Sequence, residues 1–208
     1  MRVLPCADVG LLVELDDLDA VRALHAALEA DPPPGVIDLV PAARTLLVRL
    51  DPDTSDPERV EHAVRRVRPL RTGGGAVPGS DAPVVEIPVL YDGADLAEVA
   101  RLTGLSENGV VAAHTGTEWT VAFGGFAPGF GYLTGAGWSF DVPRRAEPRT
   151  VVPEGAVGLA GVFSGVYPRS SPGGWQLIGH TRTRLWSVEA DPPALLRPGV
   201  RVRFLEAT

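Results

Sequence analysis

Lysine is absent from the 208-residue chain: all 19 basic positions are arginine. A Schiff-base lysine is therefore excluded. So is a Walker-type phosphate loop, which needs a lysine to reach the phosphates, and with it an ATP site of that kind. Cysteine is nearly absent as well. Cys6 is the only one, which rules out an internal disulfide and a zinc–cysteine cluster. The 4 histidines show no H-E-x-x-H spacing and are too few for a histidine-rich metal site. No apolar run approaches the roughly 20 residues of a membrane-spanning helix. The opening MRVLPCADVGLLVEL carries an Asp inside any would-be signal core and lacks an A-x-A-like exit, so no secretory peptide is read there. With 26 acidic residues the formal net charge is −7. No basic run stands out, which makes nucleic acid and anionic membranes poor partners. A soluble, cytoplasmic protein is the expectation.

What is present divides the chain in two. A hydrophobic content of 45% supports a packed core, and 24 Gly with 20 Pro favour tight turns over long helices. All 13 aromatic residues lie at or beyond Tyr91, while the first 72 residues hold only two glycines, Gly10 and Gly35. The charge balance does not change sign: 9 Arg face 13 acids in 1–75, and 10 face 13 in 76–208. The two parts thus differ in core type rather than in electrostatics. Arg71–Ala82 (RTGGGAVPGSDA) cannot bury apolar surface and reads as a flexible linker. The expected organisation is an N-terminal domain at 1–75, a linker at 76–83 and a C-terminal domain at 84–208.

The fold class expected is α+β. The N-terminal part reads β-α-β-β-α, of ferredoxin-like type. Gly10–Leu15 is a short strand. Leu18–Ala30 places apolar residues at helical spacing and is stopped by Asp31 and Pro32-Pro33-Pro34. Val36–Val40 and Thr45–Leu50 are strands. Asp56-Pro57-Glu58 starts a helix to about Val67, with an Asp cap, Pro in the first turn and an acid near the positive end. Val84–Leu90 is expected to complete a split β-α-β pattern. His25 and His62 sit alone on helices and read as solvated surface residues. In the C-terminal part, Asp95-x-x-Glu98 reads as a capping box opening a helix to about Leu102. Ser106 caps a second helix that ends near His114. Glu118–Phe123 alternates Trp119, Val121 and Phe123 with smaller or polar residues, a period of two. Val157–Val162, Trp175–Gly179, Leu185–Val188 and Val200–Leu205 follow as short strands, which suggests a barrel or sandwich.

Three segments could carry chemistry. Gly124–Leu133 (GGFAPGFGYL) combines Gly129 and Gly131, whose backbone allows close approach, with Phe126, Phe130 and Tyr132 as walls. It is equally an aromatic-lined turn. Pro143–Arg149 (PRRAEPR) offers Arg144, Arg145 and Arg149 in a proline-stiffened loop. A guanidinium fork suits a carboxylate or acyl phosphate, and a solvated surface loop is the plain alternative. Ser170–Thr181 (SSPGGWQLIGHT) carries Ser171, Pro172, Gly173, Gly174 and Trp175 in a turn whose backbone N–H groups could cradle an anion. Gln176 and His180 follow as uncharged donors. Ser164 misses the G-x-S-x-G spacing of a nucleophile elbow. The residues by themselves reach a carboxylate or acyl-group site in a β-rich domain.

At these residues the chain resembles the family of the 5-oxoprolinase B subunit (PxpB), also called KipI or allophanate hydrolase subunit 1. The resemblance runs through His114, GGFAPGFGYL, Pro143-Arg144, Pro148-Arg149, Val152-Pro153-x-Gly155-x-Val157, Gly165-Val166-Tyr167-Pro168, SPGGWQLIGHT and Arg197-Pro198-Gly199, covering about 84–205. It implies a cyclophilin-like β-barrel in the C-terminal part. It also implies work with PxpA-like and PxpC-like partners to open 5-oxo-L-proline to L-glutamate using ATP. By this resemblance Arg144 and Arg149 pair with the substrate carboxylate or a phosphorylated intermediate. Gly129–Gly131 and Ser171–Gly174 line the pocket, and His114 and His180 are candidates for orientation or proton transfer. No metal is expected, and the chain is expected to be inactive alone. The same resemblance leaves room for a KipI-type inhibitor of a histidine kinase, or for a carboxyltransferase component acting on urea-like amides.

Overall fold

The computed structural model describes residues 1–67 and 84–207, so the proposed linker lies outside the described residues. The chain divides into two compact units, Met1–Ala76 and Val77–Thr208.

In the first unit, β1 (Arg2–Pro5), β2 (Gly10–Glu14), α1 (Leu18–Ala30), β3 (Val36–Pro41), β4 (Thr45–Leu50) and α2 (Pro57–Arg66) follow one another. The strands form one antiparallel sheet in the order β1-β2-β4-β3. Helix α1 starts because the Asp17 carboxylate accepts the Ala20 N–H at 2.7 Å. Helix α2 starts at the expected cap: Asp56 accepts from the Glu58 and Arg59 N–H groups, with Pro57 in the first turn. Val21, Leu24 and Leu28 of α1, with Val60 and Val64 of α2, share a core with Val13, Leu46, Val48 and Leu50. One expectation is corrected. The edge beside β2 is taken by β1, through Val3 opposite Val13, and not by Val84–Leu90. Two apolar residues between Arg2 and Pro5 give too little alternation to read as a strand, and Pro5 is tolerated because the strand lies at an edge.

The second unit runs β5 (Val84–Val89), α3 (Leu96–Thr103), α4 (Glu107–Gly116), β6 (Trp119–Gly124), β7 (Gly131–Gly135), β8 (Arg149–Val152), β9 (Ala156–Ala160), β10 (Phe163–Val166), β11 (Ser171–Gly173), β12 (Gln176–His180) and β13 (Arg201–Glu206). Seven strands form a sheet ordered β12-β9-β10-β7-β6-β13-β5, and β8 pairs with β11 as a separate ribbon. β5 lies parallel to β13. The two ends of the sheet meet where Leu90 and His180 exchange backbone hydrogen bonds of 2.9 and 2.8 Å. The seam continues through Gly93 N–H to Ile178 O and Asp95 N–H to Leu177 O. The sheet is thereby a nearly closed barrel, as expected. One face of its strands carries Trp119, Leu133, Leu159, Ile178 and Phe204, and Val99 and Val110 of α3 and α4 pack into that core.

Several local expectations change. Leu185–Val188 is not a strand; only an isolated bridge joins Trp186 to Ala194. β7, β8, β10 and β11 are additions to the expected strands, because glycines and their brevity hide the period of two. A register shift between Val121 and Phe123 breaks the alternation of β6, so Phe123 stacks on Tyr132 at 4.4 Å instead of following Trp119 and Val121 into the core. Ser106 caps α4 as read, accepting the Gly109 N–H at 3.0 Å.

The seam needs Gly93. A Cβ there would stand 2.3 Å from both the Ile178 carbonyl carbon and the Leu177 oxygen. Gly93→Ala is expected to cost about 2 kcal/mol or more by overpacking, measured by urea unfolding. Gly116→Ala, with nothing within 4 Å of the added carbon, is the control. Equal stability of the two variants would contradict the seam.

Candidate functional site

The strands carry a second apolar layer opposite the first. Tyr132 alternates with Leu133, Ala156 and Ala160 with Val157 and Leu159, and Leu177 with Ile178. This layer is aromatic. Phe130 stands edge-on to Tyr132, Tyr167 and Trp175 at centroid distances of 5.0, 5.5 and 5.4 Å, an arrangement that ring quadrupoles favour. Phe126, at the tip of the GGFAPGF turn, is 57% exposed and holds a left-handed φ of 69°. A bulky residue rarely adopts that conformation, and it persists only where its surroundings impose it. Its ring leans edge-on to Phe130 and Tyr167.

The SPGGW turn meets this layer at Tyr167. The Trp175 N–H donates to the Tyr167 hydroxyl, and a Cβ on Gly173 would lie 2.5 Å from that oxygen. Glycine at 173 is therefore a packing requirement of the phenol.

The arginine loop is pinned on both sides of Arg144. Before it, the Pro143 carbonyl accepts from Gln176 Nε2 at 3.1 Å. The other amide atom of Gln176, Oε1, is buried without a hydrogen-bond partner among the described residues. After it, the Arg145 N–H donates to Gly174 O at 2.8 Å. Arg145 Nη1 and both terminal nitrogens of Arg149 donate to Asp95 at 2.7, 2.8 and 2.9 Å. Asp95 is 4% exposed and also accepts the Leu177 N–H at 2.7 Å. Burial alone would raise its carboxyl, but the bonds from Arg149 and Leu177 and the two guanidinium charges outweigh that and hold it below the ordinary carboxylate range. Asp95 stands at the N-cap position expected from Asp95-x-x-Glu98, but its side chain makes no capping bond. Arg149, expected to face a substrate carboxylate, has its fork occupied by Asp95.

Arg144 differs from its neighbours. It is exposed, and among the described residues it has no hydrogen-bond or ion-pair partner. Burial raises the Tyr132 and Tyr167 phenols and the charge of Arg144 opposes both shifts. Arg144, the SPGGW turn and the aromatic layer therefore converge on Tyr167. Asp95 and Tyr167 complete this constellation. The local pattern around Asp95 points elsewhere, and Tyr167 carries no signal beyond the family resemblance.

The two histidines lie elsewhere. His114 is fully buried. Its Nδ1 meets the Tyr91 hydroxyl at 2.7 Å and its Nε2 the Ser164 hydroxyl at 2.8 Å, and its ring stacks on Phe204 at 4.3 Å. It belongs to the core on the opposite face from the aromatic layer. His180 pairs with Asp92 at 2.7 Å beside a hollow of about 420 Å³ lined by Leu90, Thr181 and Thr183, which Arg144 does not border. Among the described residues no three His, Cys, Asp or Glu side chains gather as metal ligands.

Barrel, second face and pinned arginine loop define a carboxyltransferase-type protein: residues 1–196 match the family described as carboxyltransferase domain, subdomain C and D. The fold is shared with the urea carboxylase of Kluyveromyces lactis, at 17% identity, TM-score 0.74, over 99% of this chain and 22% of that one. Identity is higher to the 5-oxoprolinase B subunit of Escherichia coli O157:H7, 44% over 176 residues (83% of this chain, 78% of that protein). Its counterpart of the same name in Bacillus subtilis is 40% identical over 197 residues (89% and 81%). The chain belongs to the 5-oxoprolinase B-subunit family. The solved structure TTHA0988 matches at 40% identity and TM-score 0.72 over 96% of this chain, and this chain spans 40% of that one.

Burial holds the His114 pKa at about 3, down from 6.5. Below pH 6.5 the unfolded chain takes up a proton that the folded chain refuses, so His114 lowers stability by about 1.4 kcal/mol per pH unit as pH falls towards 3. The His114 ring signals in NMR are expected to stay at the neutral position from pH 8 to 5. Titration near pH 6 would contradict the buried placement.

Proposed function

We propose that this chain is the B subunit of an ATP-dependent 5-oxoprolinase complex, and that it shapes part of the site where 5-oxo-L-proline is opened to L-glutamate with PxpA-like and PxpC-like partners. The observation that carries the reading is Arg144: a guanidinium with no partner among the described residues, on a loop whose backbone is anchored on both sides to the SPGGWQ segment. The substrate is a small planar lactam with one carboxylate. Its ring suits edge and face contacts with the accessible Phe126 and Tyr132, and its carboxylate suits the planar fork of an arginine. With the backbone anchored on both sides, only the Arg144 side chain has to be ordered on capture, which spends less entropy.

A lactam is a poor electrophile because its nitrogen lone pair is delocalised into the carbonyl. In the complex, transfer of a phosphoryl group from ATP to the carbonyl oxygen, with release of ADP, would activate that carbon, so that water added there breaks the C–N bond and phosphate is released. This chain offers neither a lysine nor a phosphate loop to the nucleotide, which fits a division of labour in which its share is binding and orientation. Phe130, Tyr167 and Trp175 of the aromatic layer are buried and its edge at Phe126 and Tyr132 reaches solvent, which fits a shallow half-site whose other wall is another polypeptide. His114, held neutral in the core, supports the barrel in this reading and transfers no proton.

In a complex reconstituted from this chain and its PxpA-like and PxpC-like partners, Arg144→Ala is expected to raise KM for 5-oxoproline about ten- to hundredfold, the loss of one charged hydrogen-bonding group. Arg144→Lys is expected to restore little, because an ammonium cannot reproduce the fork. Glutamate release is measured with and without ATP, and complex assembly by size-exclusion chromatography. An unchanged KM in an intact complex would remove Arg144 from the site.

A further inference from the structure

We infer that Asp95 is the positioning residue for Arg144: its buried carboxylate fixes the arginine loop to the barrel seam and so sets where the Arg144 guanidinium stands. The inference rests on the proposed role of Arg144 and adds to it a residue that touches no substrate.

Asp95 is itself immobile. Its backbone N–H donates to Leu177 O at 2.9 Å and its carboxylate takes back the Leu177 N–H at 2.7 Å, so the residue is stitched to β12 from both sides. Each carboxylate oxygen is then filled. Oδ1 accepts from Arg145 Nη1 and Arg149 Nη2, and Oδ2 from Arg149 Nη1 and Leu177 N. Arg149 is bound bidentately, the arrangement with the least angular freedom. These two arginines bracket residues 146–148, and Arg145 adjoins Arg144 directly. The Arg145 N–H to Gly174 O bond and the Gln176 to Pro143 bond hold the backbone on either side. One carboxylate cannot take a third guanidinium, since its four acceptor positions are used. Arg144 is therefore left over by the stoichiometry of the cluster.

The test is a double-variant cycle in the reconstituted complex, reading KM and kcat for 5-oxoproline. Asp95→Asn keeps shape and removes charge. It is expected to raise KM about ten- to hundredfold, as a displacement of about an ångström does, and to change kcat less. Placed on Arg144→Ala, it is expected to change KM less than about twofold, because the group it positions is gone. Arg145→Gln, which loosens the same clamp at a half-exposed position, gives the same cycle if Asp95→Asn does not fold. Equal effects of these variants with and without Arg144 would overturn the inference and leave Arg144 in place. No effect of Arg144→Ala alone would instead remove the site reading itself.

Discussion

A single buried carboxylate organises the second unit. An unpaired charge in the interior is costly, and a paired one is tolerated only when its remaining acceptor positions are filled. Asp95 meets that condition with donors from Arg145, Arg149 and Leu177. In doing so it joins the start of α3, the proline-bounded arginine loop and β12. The absence of lysine bears on this directly. Two guanidiniums share one carboxylate by presenting flat forks, and an ammonium offers no bidentate geometry.

The barrel strands separate two tasks by face. One face, with Trp119, His114 and Phe204, is the packed core. His114 spends its ring nitrogens on Tyr91 and Ser164, and the Trp119 indole N–H donates to the His114 carbonyl at 3.0 Å. The other face carries the rings around Phe130 and the turn on Tyr167. Strand alternation decides which residue serves which task, and the register shift after Val121 moves Phe123 from the first set to the second.

Much of this is legible in the sequence, for local reasons. Caps at Asp56 and Ser106, the apolar spacing of α1, and the clustering of glycine with aromatics in GGFAPGFGYL are contained in windows of about ten residues. The family resemblance supplies the barrel. What stays hidden is non-local. Asp95-x-x-Glu98 satisfies a capping pattern within four residues, but the partners that claim Asp95 lie 50, 54 and 82 positions away. Nothing near Asp95 announces them. Arg144 and Arg149 look alike in PRRAEPR, and only the fold shows one spent and the other free. His114 at a helix end reads as a dipole partner, whereas aromatic rings and two hydroxyls enclose it. The glycine-rich strands hide because a residue without a side chain contributes nothing to alternation.

The placement of β1 has one further consequence. The edge of the first sheet is filled from within its own unit, and β5 is thereby released to lie parallel to β13. Among the described residues each sheet satisfies its ladder without borrowing a strand from the other. Within the described residues, a change that frays the ladder of one sheet therefore leaves the hydrogen-bond lattice of the other whole.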